Sequence, residues 1–571
     1  MSDAAPASTP APTPSASSPS ESATASNPAP EDAPSDPRRP LGNLALSLSG
    51  GGYRAAAYHL GSMQLMDRVG LLPGVVGLST VSGGTICGMA WVVSLIEGKP
   101  FNEFYDEFSS YLLGNNVIAE ALEGLTSERG HASHPWASLI GAASDVYARP
   151  NLFGDRRFGD VLGAKGLQLE EAIFNSTEFH TGLDFRFRRS DRPRTLLGNR
   201  NYPLPRAVAQ HVRLADIVAA SSCFPGGFEP LVFPQQFHWP AQYPLDAALE
   251  ELGPGFAAGL PLMDGGIYDN QGVESLLLAF DDSTATTLVI SDVSARNTEM
   301  YTTPANPTRR GWLTLNGVFW TGRLLFVLAL AAALVLAGHG WRTAREGAWV
   351  AEDYLLYLVP GLLAAGVAGG LWWVHRRLRE VNELLKESVE VEAWASLKKL
   401  TAPEFTQMLV LRVKSLLALT SSIFMARVRR LVFGRVFEDR DFEGRRVSNL
   451  IYSMARNQPA LFENHPWLRP GPELVTLAQT AERMPTTLWF TDPSQFTTQS
   501  LAGQATCCFV LLRHLVEDRK GQYEAPDAPL HGLYTRLRAE WDAFNGAAAV
   551  AEAAPATAPA GPSGPSIWGA R

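Results

Sequence analysis

The sequence predicts an α/β chain interrupted by a pair of long apolar helices. Two β-prone runs, 44–48 (LALSL) and 74–81 (GVVGLSTV), each end in a glycine-containing turn followed by a segment of helical composition. A third apolar run, 260–263, delivers Asp264 into Gly265-Gly266 ahead of another helix. Farther on, 317–338 and 354–374 each approach the ~20 apolar residues that cross a bilayer core.

Composition sets the outer bounds. The chain has 571 residues, 46% of them hydrophobic and 18% charged, enough to bury a sizeable core. A net charge of −9 leaves no basic excess to track phosphates, so no nucleic-acid partner is expected. The four cysteines (Cys87, Cys223, Cys507, Cys508) lack metal-ligand spacing and read as small core residues, so neither a metal nor a disulfide framework is expected. Residues 1–40 and 547–571 are Ala/Pro-rich tails with too little apolar surface to order, and the first of them has no secretory-signal pattern.

Along the ordered part, the first unit is LALSL followed by Ser49-Gly50-Gly51-Gly52 and a helix over 53–69. Strand, glycine loop and helix start together make a nest of backbone N–H groups at the positive end of a helix dipole. Such a nest holds a phosphate or a transient oxyanion. Gly50 to Ala55 fits the loose dinucleotide form G-x-G-x-x-A, but the next strand ends in Thr80, Val81 and Ser82 rather than an acid. A phosphate-binding P-loop is excluded because no Lys-Ser or Lys-Thr follows the glycines.

The second unit supplies a nucleophile candidate. Ser82, with Gly83 and Gly84 after it, stands at a strand-to-helix corner, where a strained turn demands small neighbours. Such a serine is a nucleophile or a helix N-cap. The third unit offers Asp264, either the base for that serine or an ordinary turn aspartate. The eleven histidines are scattered, and none sits in a glycine-framed turn.

The two apolar segments make a helical hairpin through the link 341–353. Trp312, Trp320, Trp341, Tyr354, Trp372 and Trp373 cluster at its ends, where interfacial aromatics belong. Arg309 and Arg310 precede it and Arg376, Arg377 and Arg379 follow, whereas the link holds only Arg342 and Arg345 among Glu346, Glu352 and Asp353. That bias places both flanks, and the soluble mass attached to them, in the cytoplasm. The stretch 397–436 mixes Lys398, Lys399, Arg412, Lys414, Arg427, Arg429, Arg430 and Arg435 with large apolar residues. It reads equally as a surface lying on anionic lipid or as a helical pair with a solvated basic face.

Ser49-Gly50-Gly51-Gly52-Tyr53-Arg54, the Ser82 elbow and Asp264-Gly265-Gly266, in that order, resemble the patatin-like phospholipase family, including its cytosolic phospholipase A relatives. Segments 174–187 and 217–231 are also similar to family segments, and 484–512 looks like a late return to the same domain. The resemblance implies a three-layer α/β fold with a central, mainly parallel sheet. It implies a Ser-Asp dyad, Ser82 as nucleophile and Asp264 as general base, with Gly50, Gly51 and Gly52 as the oxyanion hole and no cofactor or metal. Arg54 then pairs with a lipid phosphate or braces the loop. Two departures stand out: Thr80 occupies the elbow's first glycine position, and Ala55 follows Arg54 where many relatives have glycine.

The expected organisation is a catalytic domain in two parts, 41–305 and 484–546, with a transmembrane hairpin (306–380) and a helical, partly basic region (381–483) between them. The expected function is hydrolysis of fatty-acyl esters, with membrane lipids as both substrate and anchor. Two rivals remain open: a Ser-His-Asp esterase acting on soluble esters, and a non-enzymatic membrane scaffold on the same fold. Lipid head group and protein partners are not specified by the sequence.

Overall fold

The computed structural model describes residues 39–126, 138–193, 195–296, 301, 314–347, 352, 354–388, 399–419 and 423–551. The two tails fall almost wholly outside them, as do Arg309, Arg310, Trp312, Asp353 and Lys398. One difference appears at the C-terminal end: a helix over His531–Ala551 runs into the stretch expected to lack structure from 547.

The core is an eight-stranded, mainly parallel sheet. Its strands are β1 (Leu44–Leu48), β2 (Val75–Val81), β3 (Glu171–Glu178), β4 (Leu183–Ser190), β5 (Leu231–Phe233), β6 (Leu260–Asp264), β7 (Thr287–Asp292) and β8 (Arg446–Leu450), in the spatial order β5-β6-β3-β2-β1-β7-β8 with β4 paired to β3. β2, β1, β7 and β8 run parallel to β3, whereas β4 and β6 run antiparallel to it.

Helices cover both faces because the strands alternate between two cores. On β1, Leu44, Leu46 and Leu48 join the main cluster, and Ala45 joins the second with Leu288 and Ile290. The main face carries α1 (Gly52–Arg68), α2 (Gly83–Ile96) and α3 (Leu214–Ser222). The opposite face carries α4 (Val273–Asp282).

Beyond β7 the chain leaves the sheet for α5 (Leu315–Glu346) and α6 (Val359–Ser388). By length and composition, two helical stretches here, Asn316–Glu346 and Leu355–Val374, are long and apolar enough to cross a membrane. They fold back on each other: His339 stacks on Tyr357, and Leu336 lies beside Gly361. The chain returns through α7 (Ala402–Ala418) and α8 (Phe424–Glu438) to β8. The region expected to be helical and partly basic, 381–483, therefore also adds a strand to the sheet. α8 also buries Val432 and Val436 against α4's face of the sheet.

α9 (Pro472–Arg483) and α10 (Pro493–Asp518) close the main face. α10 lies backbone-to-backbone on α1, with the Ser62 hydroxyl donating to the Gly503 carbonyl at 3.2 Å. Its Cys507 and Cys508 are free and buried, as are Cys87 and Cys223.

Candidate active site

Sheet register brings Ser82 and Asp264 together. β4 occupies one edge of β3 along Glu171–Glu178, so β2 and β6 share the other edge. β2 runs one way and ends with Val81 opposite Asn175. β6 runs the other way and ends with Asp264 opposite Ser176. The two strands meet head-on, and the residues at their tips face one junction. The glycine loop leaves the neighbouring strand, β1, at the same end of the sheet. In parallel α/β sheets this carboxyl-end rim is where ligands bind.

Ser82 is buried and is the one non-glycine among the described residues with positive φ (φ 52°, ψ −120°). Such a conformation costs about 1–3 kcal/mol and persists only when its surroundings hold it. The holding groups are visible. The Ser82 amide donates to Ser221 Oγ at 3.0 Å, and the Ser221 hydroxyl donates to the Asn175 carbonyl at 2.6 Å. Thr85 Oγ1 stands 2.8 Å from Ser221 Oγ and 3.0 Å from Thr80 Oγ1. Thr80, the departure at the elbow, is thus tied into the brace. Gly83 is required by contact: a methyl group there would overlap the Gly52 carbonyl oxygen. Gly84 packs in the same way against the end of β1.

The glycine loop divides its labour. The Gly50 amide donates to the Asn270 carbonyl at 2.9 Å, so it is already committed and cannot serve a substrate oxygen as the sequence expectation had it. Gly50 instead clears space beside Ser82 and Asn270. The Gly51 and Gly52 amides have no partner among the described residues. Both residues need glycine's freedom, with φ of 146° and 59°. The Tyr53 amide donates to the Thr487 carbonyl at 2.8 Å, which fastens the loop from outside. Of the two roles left open for Arg54, bracing is the one seen: its Nη1 donates to the Met484 and Glu482 carbonyls at 2.9 and 3.2 Å.

Asp264 is fully enclosed. Burial pushes its carboxyl up from 3.8 to about 6, and the nearby Ser82 hydroxyl and a hydrogen bond from the Gly266 amide (2.7 Å) pull partly the other way. A carboxylate poised there, beside a serine hydroxyl, can take that proton.

The resulting cleft, about 550 Å³, is lined by Gly50–Gly52, Arg54, Ser82 and Asp264, and among the described residues no histidine lines it. His59, the histidine next to the loop, sits behind it, bonded to the Ser49 carbonyl (3.0 Å) and to Ser291 Oγ (2.9 Å). Burial lowers its pKa to about 4.

Sequence reasoning missed several members of the cleft wall. Thr486, Thr487 and Leu488 come from the late return segment, and Met425, Ala426 and Arg429 from α8. Arg429 pairs with buried Asp292 through Nε (2.8 Å) and Nη2 (2.7 Å), and Gln271 Nε2 donates to the same oxygen at 2.7 Å. The one signal for Arg429 was its place in a basic run, which says nothing of Asp292.

Residues 46–277 match the model of the family described as patatin-like phospholipase. No curated protein matches the chain. The matched segment contains the glycine loop, the Ser82 elbow and Asp264, while Asp292, Arg429 and Thr487 lie beyond it. The chain thus carries, in residues 46–277, a patatin-like phospholipase domain, a domain of lipid acyl hydrolases.

Proposed function

We propose that the chain is a membrane-associated serine lipid acyl hydrolase of phospholipase or lysophospholipase type, working through a Ser82–Asp264 dyad. The observation that carries this reading is a strained serine at one cleft with a buried aspartate of raised pKa, with unpartnered glycine amides beside them.

In the first half-reaction Ser82 Oγ attacks the acyl carbonyl while Asp264 takes the hydroxyl proton. The Gly51 and Gly52 amides donate to the oxygen as it becomes negative. Collapse breaks the ester bond, and Asp264 returns the proton to the departing alcohol oxygen. In the second half-reaction water gives a proton to Asp264 and attacks the seryl ester, releasing the fatty acid and restoring Ser82. Gly50, Ser221 and Arg54 hold this geometry without touching the reacting atoms. Among the described residues no histidine lines the cleft wall, which favours the dyad over a triad.

The hairpin suits an insoluble substrate, because anchoring raises the local concentration of the site at the bilayer. In this reading the catalytic unit is one domain interrupted by the hairpin and faces the cytoplasm, the side favoured by the flanking arginines.

Treating the purified chain with a fluorophosphonate probe and mapping the modified residue tests the assignment. Labelling at Ser82 is expected. Ser82→Ala should keep its fold, lose labelling, and lose about a thousandfold or more in acyl release. Full activity in that variant would end the nucleophile assignment.

A further inference from the structure

Helix α7 presents a row of apolar side chains to solvent close to the cleft. Leu409, Val413 and Leu416, at i, i+4 and i+7, share one face and are 50%, 47% and 59% exposed. Phe424, at the start of α8, is 53% exposed. A contiguous patch of this kind on a protein surface marks something that covers it.

Three observations say what. The helix begins at the membrane segment: Thr401, its N-cap, forms a β-bridge with Thr314, the N-cap of α5. The row therefore continues the exposed apolar surface of the hairpin. Its far end reaches the cleft, where Leu417 lies against Gly226, next to the cleft-lining Phe224 and Pro225. Cations border it: Arg412, Lys414 and Arg427 are exposed and have no ion-pair partner among the described residues. Glu404, the acid at the start of α7, is tied back in the Thr401 capping box.

We infer that α7 and the first turn of α8 form a docking ledge for an anionic bilayer leaflet. The ledge lies in the head-group plane and joins the membrane hairpin to the mouth of the Ser82 cleft. The Leu409–Val413–Leu416 row enters the acyl boundary, and the Arg412 and Lys414 stems extend to lipid phosphates. A lipid then moves from leaflet to cleft along an apolar surface without crossing water. This inference deepens the hydrolase reading and rests on it for its purpose, but the docking can be measured without catalysis.

The test uses the full chain in phosphatidylcholine vesicles, with and without phosphatidylserine. Because all four native cysteines are buried, Val413→Cys offers a single accessible thiol for an environment-sensitive nitrobenzoxadiazole label. Thr480→Cys, on α9, is the control. Label at 413 should emit to the blue and be quenched by nitroxide-bearing lipid, more strongly with phosphatidylserine, and label at 480 should do neither. Arg412→Glu/Lys414→Glu should abolish the phosphatidylserine dependence. The same variant should slow hydrolysis of vesicle lipid by roughly tenfold while sparing a soluble short-chain ester.

Equal behaviour at 413 and 480 would overturn the ledge. So would a blue shift without lipid quenching, which would mean that a second copy of the chain covers the row. Quenching at 413 in a parent chain that hydrolyses neither substrate would uphold the ledge and sink the hydrolase reading instead.

Discussion

At the scale of single residues, the enclosure of Asp264 is costly to the fold and useful to the chemistry. A carboxyl whose pKa rises from 3.8 to about 6 on folding is destabilising when ionised, by on the order of 2–3 kcal/mol. The sign is that of a native state that binds the proton more tightly than the unfolded chain. The penalty is full above about pH 6, shrinks as pH falls toward 3.8, and is absent below it. Asp264→Asn should therefore unfold at a higher temperature than the parent at pH 8 and lose that advantage near pH 4. The same variant should be nearly as inactive as Ser82→Ala, since an amide cannot take the proton. In the parent, kcat/KM should rise with pH along a limb centred near 6, and a flat profile from pH 5 to 8 would remove Asp264 as base. His59→Gln, by contrast, should keep probe labelling at Ser82, because His59 bonds to Ser49 and Ser291 rather than lining the cleft. Ser82 and Asp264 were legible in the sequence because each sits in a local pattern of small residues that its turn requires. Ser221 was not, since a serine in a small-residue helix looks the same whether or not it braces an elbow 139 residues away. Nor was the commitment of the Gly50 amide, which depends on Asn270, brought near only by the sheet.

At the scale of elements, the strand-loop-helix units were readable from hydrophobic runs and glycines, but their mutual placement was not. Nothing local says that β6 runs against β3 and stops where β2 stops, yet that head-on meeting brings Ser82 and Asp264 to one junction. Helix α8 shows the same limit. Its sequence offered a basic face and left open whether lipid or water met it. The structure turns Val432 and Val436 inward, joins Arg435 to Glu274 at 2.8 Å, and sends Arg429 to Asp292. The Arg429 pair is largely out of water, so removing one partner leaves the other charge stranded. Arg429→Met should lower stability by roughly 2–4 kcal/mol in thermal or denaturant unfolding, discounted for the exposed part of the arginine. Because Gln271 shares the Asp292 oxygen and Asn270 holds Gly50, that substitution should also reduce acyl release more than thermal destabilisation alone explains. Unchanged specific activity of the folded variant would confine Arg429 to stability.

At the scale of the whole molecule, the hairpin is an insertion between two neighbouring strands, β7 and β8, of one sheet. Its dimensions match a bilayer: Trp320 and Trp341 lie 21 residues apart on one helix, about 31 Å of rise. Each carries an arginine over its ring, Arg323 and Arg345, and Arg376 and Arg377 sit over Trp372 and Trp373 on the returning helix. Amphipathic pairs at both ends of an apolar stretch are what two membrane–water boundaries favour. If both helices span, a cysteine placed at Glu352 should react with a membrane-impermeant reagent applied to intact cells, and one at Thr480 should not. The bridge between Thr314 and Thr401 makes a second test possible. Paired residues in neighbouring strands stand about 5 Å apart, so deleting 315–400 and joining these two through a short flexible linker should leave the sheet intact. The parent should resist carbonate extraction, because its helices satisfy their own backbone hydrogen bonds in hydrocarbon. The deleted chain should be released by carbonate and still be labelled at Ser82. It should keep α7, and so should still sediment with vesicles containing phosphatidylserine at low salt and come off as salt screens the cations. A deleted chain that labels normally but ignores anionic vesicles would leave the hairpin as the sole membrane contact. One that still resists carbonate would mean that α5 and α6 are not what holds this protein in the bilayer.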